Sequence, residues 1–342
     1  MGCKHRSKVE KLTYPLDMPQ DMPNAEADVQ DQPMHMTCME VWGGSHVTEQ
    51  SVELGGLDAW IYSKPFGEAQ SGGDVYYVSS CATGRISRIL LADVAGHGHS
   101  VADTAMGLRN LMRRFVNHLD QTEFVRLLNQ QFIELPRDSV FATAVVTTYF
   151  APTGLLSVCN AGHPRPLLFR SAQRKWELVG SHGQSAPLTN MPLGILDITQ
   201  YEQFEIQLEP GDYFLSYSDA LIECTDDNDE MLKEAGLLRM AQGFADLPPA
   251  QMIAALLKEI GEQYPDKLHD DDVTLLLLRA NGNEPQVSMS EKLNALGRFT
   301  KSLVQAINPR AERPPFPDAT LANLGGAILP ALNRRWSGIP KP

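Results

Sequence analysis

SGGDVYYVSSCATGRISRILLADVAGHGH, Ser71 to His99, is the stretch whose reading decides the fold. Asp74 follows a glycine pair and leads into Val75-Tyr76-Tyr77-Val78, a β-branched and aromatic run that reads as a strand. Ile86 to Ala92 is nearly continuously apolar and reads as a second strand, which Asp93 ends. A turn around Ala82-Thr83-Gly84 lies between them, so the two strands form a hairpin with a loop slightly longer than the tightest type. The hairpin brings Asp74, at the start of one strand, beside Asp93, at the end of its partner. Both carboxylates then share one edge of a sheet.

Two carboxylates held together without a cation repel, and one must take up a proton. A hard divalent cation such as Mg or Mn, which prefers oxygen ligands, removes the conflict. Gly96 and Gly98 allow close approach of the main chain to a ligand. Taken alone, Asp93 fits equally well as a cap of the helix that follows, with glycine relieving the turn.

Moving outward, Leu57 to Tyr62 reads as a strand feeding the glycine pair. His99 to Leu119 has helical spacing through Val101, Ala105, Leu108, Leu111, Met112, Phe115 and Leu119, with Ser100 as N-cap. A second helix covers Thr122 to Leu135. Strands follow at Ala142 to Phe150, Leu155 to Asn160, Pro166 to Arg170, Trp176 to Val179, Tyr201 to Leu208 and Tyr213 to Tyr217. Ser181 to Asn190 has little apolar content and reads as a surface loop. The strand ending at Tyr217 runs into Ser218-Asp219, repeating the design of buried strand, then Asp, then a bend. Helices at Glu234 to Gly243 and Pro249 to Gln263 precede Asp270-Asp271-Asp272 and the strand Val273 to Arg279.

Most strand pairs are joined by short hairpin links, and helices come in pairs rather than between successive strands. That argues against a doubly wound α/β fold and predicts an α+β protein of two mainly antiparallel sheets flanked by helices. Residues 1–38, rich in Pro, Asp, Gln and Met, read as a flexible N-terminal arm. Residues 39–282 form the main domain. Residues 283–342 form an appendage: an amphipathic helix over Ser290 to Ile307, a Pro-rich linker and a tail. It serves either as packing on its own domain or as a dimer or partner surface.

Asp74, Asp93, Asp219 and Asp271 each sit at a strand end beside Gly, Ser or another Asp. Together such groups can hold two cations a few ångströms apart, which lower the pKa of a bridging water and polarise phosphoryl oxygens for in-line attack. The motifs GGD (Gly72 to Asp74), DVAGHG (Asp93 to Gly98), FATAVV (Phe141 to Val146), NAGHP (Asn160 to Pro164), PLG (Pro192 to Gly194), YSDALIE (Tyr217 to Glu223) and DDDVTLL (Asp270 to Leu276) follow one another in this order. In that order the chain, from about residue 68 to residue 280, resembles the SpoIIE-type branch of the metal-dependent (PPM) serine/threonine protein phosphatases.

The resemblance implies a four-layer α-β-β-α sandwich, two divalent cations (Mn or Mg) and a phosphoserine or phosphothreonine protein as substrate. It implies that Asp93 bridges both metals and Val94 offers its backbone carbonyl. Asp219 and Asp271 would hold one metal, with Asp271 preferred to Asp272, and Asp74 would support the other. His97 resembles a proton donor to the leaving hydroxyl, whereas His163 is expected to order a turn near the cleft. Relatives often carry an acidic residue soon after GGD. Here Tyr77 takes that place, which implies thinner charge around the second metal. Arg85, Arg88 and Arg165 are candidates for a phosphate-binding arginine only by proximity. In relatives the substrate is often an antagonist of an anti-sigma factor in partner-switching control of transcription.

Composition narrows the alternatives. The 342-residue chain carries a net charge of -13 and a pI near 5.1. Such acidity argues against a general nucleic-acid or membrane-surface binder. Its 5 cysteines show no CxxC spacing, so free thiols in a reducing cytoplasm are expected. No apolar run is long enough to span a bilayer. Gly2-Cys3 suggests lipidation, but Arg6 stands where the myristoylation pattern needs Ser or Thr. A second reading is a non-catalytic module that keeps the fold and engages a partner through its C-terminal helix.

Overall fold

The computed structural model describes residues 34–35, 41–67, 69–80, 84–96, 99–116, 118, 120–135, 141–180, 188–226, 228–264 and 271–283. His97 and the helix expected at Ser290 to Ile307 lie outside them, as do the arm, except Met34–His35, and the appendage, except Asn283. In chain order the strands are β1 (Met34–His35), β2 (Val41–Gly44), β3 (Thr48–Leu54), β4 (Leu57–Lys64), β5 (Asp74–Ser80) and β6 (Ile86–Val94), before helices α1 (His99–Phe115) and α2 (Gln121–Ile133). Then come β7 (Ala142–Phe150), β8 (Leu155–Ala161), β9 (Leu167–Arg170), β10 (Lys175–Leu178), β11 (Phe204–Gln207) and β12 (Tyr213–Tyr217). Helices α3 (Ala220–Glu223), α4 (Lys233–Gly243) and α5 (Pro249–Gln263) precede β13 (Val273–Ala280).

Two sheets result. One orders its strands β11-β8-β7-β6-β5-β2, the other β1-β3-β4-β13-β12-β9-β10. Every pairing is antiparallel except β1 with β3. Met34–His35 therefore already pair with the domain, inside the segment expected as an arm.

Strand alternation builds the layers. On β5, Val75 and Tyr77 join a core with α1 and α2, whereas Tyr76 and Val78 face a core between the two sheets. On β13, Leu276 and Leu278 face the inter-sheet core, whereas Val273, Leu275 and Leu277 pack with α3, α4 and α5. The order is thus α-β-β-α, the α+β sandwich read from the sequence. Each fully buried Leu or Ile in these cores contributes roughly 1.5–3 kcal/mol of transfer free energy.

Helix α2 starts where its cap dictates. Asp120 accepts from the Glu123 amide, one residue earlier than the apolar spacing alone suggested. Cys159 and Cys224 are buried free thiols. No helix among the described residues is long and apolar enough to cross a membrane.

Candidate metal centre

Asp74 and Asp93 are direct cross-strand partners. Period two puts both on the inter-sheet face, with Tyr76 and Leu91 further along the same strands. Asp74 is 2 % exposed, and neither of its carboxylate oxygens completes a hydrogen bond. Burial first, then the charges of Asp93 and Asp272, push its pKa well up; the Thr274 and Ser218 hydroxyls offset this only in part. Asp93 is pushed up to about 7, by burial and then by Asp219, Asp271, Asp272 and Glu223. Asp219 rises to about 6, through burial, Glu223 and Asp271.

These causes map the site. Asp74 and Asp93 come from the six-stranded sheet, Asp219 from the end of β12 and Asp271 from the residues before β13. They lie within each other's electrostatic reach at one end of the sandwich. Among the described residues, no three His, Cys, Asp or Glu side chains are drawn together closely enough to enclose an ion. The cluster is a set of mutually repelling oxygen donors, two of them buried without a hydrogen bond. That donor chemistry fits a hard divalent cation.

The two consecutive aspartates before β13 have separate tasks. Asp272 is buried, and its carboxylate accepts from the amides of Phe66 (2.6 Å), Gly73 and Asp74 (3.3 Å). It is a clamp on the GGD loop. Asp271 is exposed, accepts from the Asp272 amide at 2.8 Å and raises the pKa of both Asp93 and Asp219.

The glycine pair answers to the same clamp. A Cβ on Gly72 would overlap the Asp272 carboxylate, and one on Gly73 would lie 2.8 Å from the Val94 carbonyl oxygen. Gly72→Ala is therefore expected to displace Asp272 and destabilise the chain by on the order of 2–4 kcal/mol. Thermal unfolding of the metal-free protein measures this; an unchanged midpoint would mean the carboxylate yields freely.

A family model described as Stage II sporulation protein E (SpoIIE) matches residues 84–281, more than half of the chain. The chain belongs to the SpoIIE family. Solved structures similar to it in fold include three that are PPM-type phosphatases or contain such a domain. The RsbU and RsbW domains of Rv1364c from Mycobacterium tuberculosis are 24 % identical, with 77 % of this chain and 76 % of that one covered, at a TM-score of 0.56. The SiaA-PP2C domain of Pseudomonas aeruginosa is 19 % identical, covering 65 % and 84 %, at 0.54. The PP2C phosphatase domain of SpoIIE from Bacillus subtilis, with a fragment of its regulatory domain, is 16 % identical, covering 71 % and 64 %, at 0.54. No curated protein matches the chain.

Several side chains of this SpoIIE-family protein depart from their sequence-based expectations. Tyr77 lies on the helix-facing side of β5, opposite to Asp74, buried among residues of α1. The side chain at this position thus takes the face opposite to Asp74, since an odd step along a strand changes face. Arg88 is buried, donating to Thr148 Oγ1, Val116 O and His118 O and lying over the Phe124 ring. Arg165 is paired with Glu234. Both are structural fastenings, not phosphate ligands.

His163 is buried and spans the gap between the sheets. Its Nδ1 meets Thr143 Oγ1 at 2.8 Å and its Nε2 meets the Tyr217 carbonyl at 3.0 Å. Asn160 closes the turn around it, accepting from the His163 amide and donating to the His163 and Pro164 carbonyls. Sequence reasoning missed Glu223. It stands four residues after Asp219, one helical turn on, and its charge raises both Asp93 and Asp219. The i, i+4 spacing in YSDALIE was the available signal.

Proposed function

We propose that this protein is a metal-dependent protein phosphatase that removes phosphate from phosphoserine or phosphothreonine. The observation that supports this most is the cluster of Asp74, Asp93, Asp219 and Asp271. Burial, and after it the neighbouring carboxylate charges, raise the pKa values of Asp74, Asp93 and Asp219, and neither carboxylate oxygen of Asp74 completes a hydrogen bond. The proposed set is Asp93 with the Val94 carbonyl, Asp219 and Asp271, and Asp74 in support, for two Mn or Mg ions. Bound there, such cations would ionise a water for attack and polarise the phosphoryl oxygens. The chain itself holds the donors: the clamp of Asp272 fixes the GGD loop, and Ser218 ties Asp219 to β13. Ser218 Oγ accepts from the Thr274 amide at 2.9 Å. His97 completes the proposal as proton donor to the leaving hydroxyl. The resemblance in sequence extends it to partner-switching signalling, with a phosphorylated anti-sigma antagonist as substrate.

Hydrolysis of p-nitrophenyl phosphate with Mn tests the reading. Turnover that requires Mn and drops more than about a hundredfold in Asp219→Asn is expected. A variant that keeps most of its rate would remove Asp219 from the site. A wild type that never turns over would favour a binding module.

A further inference from the structure

The exposed apolar side chains are distributed unevenly. Nine large ones stand out among the described residues, and none lies in the turns at the end of the sandwich away from the carboxylates. Those far turns join β3 to β4, β7 to β8, β9 to β10 and β11 to β12. Val47, Phe66, Phe141, Ile195 and Leu196 instead sit on loops that leave the strands at the carboxylate end.

Hydrogen bonds fix four of these five, two at the site itself and two on a support beside it. The Phe66 amide donates to Asp272 at 2.6 Å. The Phe141 carbonyl accepts from Ala95, two residues after Asp93, at 2.9 Å. Leu193 and Ala142 exchange both amide bonds, 2.9 and 2.7 Å, so residue 194 falls opposite Phe141 in that register. Buried Asn129 of α2 then fixes the following residues, accepting from Gly194 N at 2.8 Å and donating to Leu196 O at 2.7 Å. Ile195 and Leu196 are therefore held outward by a rigid support. The charge at the mouth is acidic, from Asp271 and Glu223, both exposed.

We propose that Phe66, Phe141, Ile195 and Leu196 form a docking rim that selects phosphoserine flanked by aliphatic residues on the substrate protein. The proposal rests on the phosphatase reading above. A phosphoserine that reaches the carboxylates must draw its neighbours across this rim, so the substrate covers it. Aliphatic neighbours bury area there, acidic ones meet Asp271 and Glu223, and polar ones lose hydration without return.

The test uses the full chain with Mn and synthetic phosphoserine peptides that differ only in the residues beside the phosphoserine: valine and leucine, serine, lysine or aspartate. The aliphatic peptide is expected to exceed the serine peptide by about tenfold in kcat/KM, the gain from burying one or two methyl groups' worth of area. The double variant Ile195→Ser, Leu196→Ser is expected to bring that ratio below about threefold. The ratio is the readout, so partial loss of folded protein does not imitate the effect. Equal rates, a preference for the lysine peptide, or an unchanged ratio in the double variant would overturn the rim. So would a double variant that hydrolyses every peptide and p-nitrophenyl phosphate faster by one common factor, since a segment of the chain itself would then cover the rim. A wild-type dimer that the double variant dissociates in sedimentation would also overturn it. Absence of Mn-dependent p-nitrophenyl phosphate turnover is a different failure: it removes the phosphatase reading and this inference with it.

Discussion

Asp93→Asn is expected to abolish turnover, by more than about a hundredfold, and at the same time to stabilise the metal-free chain. The two effects have one cause. Asp93 sits directly across from Asp74 and within reach of Asp219 and Asp271, so its charge is what cations need and what the empty fold resists. Its pKa of about 7 in the folded chain stands above the ordinary 3.8. A raised carboxyl pKa means the folded state binds the proton more tightly than the unfolded state does. The associated stability is full below about pH 4 and is lost as pH rises through 7. Without metal the wild type should therefore grow more stable on acidification from pH 8 toward pH 5, by on the order of 1–3 kcal/mol, against the usual carboxylate trend. Asn carries no charge at any pH, so the variant should lack much of that slope and exceed the wild type at pH 8. Saturating Mn should flatten the wild-type profile. Urea titrations across pH, with and without EDTA, measure all of this. A metal-free variant less stable than the wild type at pH 8 would show that repulsion does not govern the site.

The hairpin that carries this chemistry was legible because its signals are local. Glycine pair, β-branched run, turn and apolar run lie within thirty residues, and alternation then fixes which face each carboxylate takes. Residues that act across the fold were less legible. Asp272 grips Gly73 across 199 positions of sequence, and no periodicity encodes such a contact. The face that Tyr77 takes was legible from strand parity, three residues on from Asp74. Residues 181–187 of the segment expected as a surface loop lie outside the described residues; the turn at Pro192 to Ile195 carries Leu193, which is wholly buried and bridges Ala142. The side chain of Asn129 on α2 and the backbone of Ala142 on β7 anchor that turn, contacts that no local pattern encodes. Helix α3 is only four residues long, too short for a helical period to show.

His163→Ala is expected to loosen the site without touching a single proposed metal donor. The Tyr217 carbonyl can only accept, so Nε2 carries the proton and Nδ1 accepts from the Thr143 hydroxyl. The imidazole is thereby a neutral strut. Thr143 lies opposite Asp93 in the β6–β7 register, and Tyr217 stands two residues before Asp219. The strut therefore sets the spacing between carboxylates of opposite sheets. Alanine leaves a half-buried hydroxyl and a buried carbonyl without this partner beside a void, a cost of about 2–4 kcal/mol. Mn affinity, read by calorimetry, should fall by about tenfold or more, as for other supports of metal ligands. His163→Gln, which can still donate to one sheet and accept from the other, should recover part of both. The pH dependence separates a neutral strut from a generic packing role. Burial lowers the His163 pKa from 6.5 to about 4, so its stability contribution is present above 6.5 and lost as pH falls toward 4. The destabilisation caused by His163→Ala should consequently be greatest near neutral pH and shrink steadily toward pH 4. A deficit that stays constant from pH 7 to pH 4 would mean that the ring is not held neutral between the sheets.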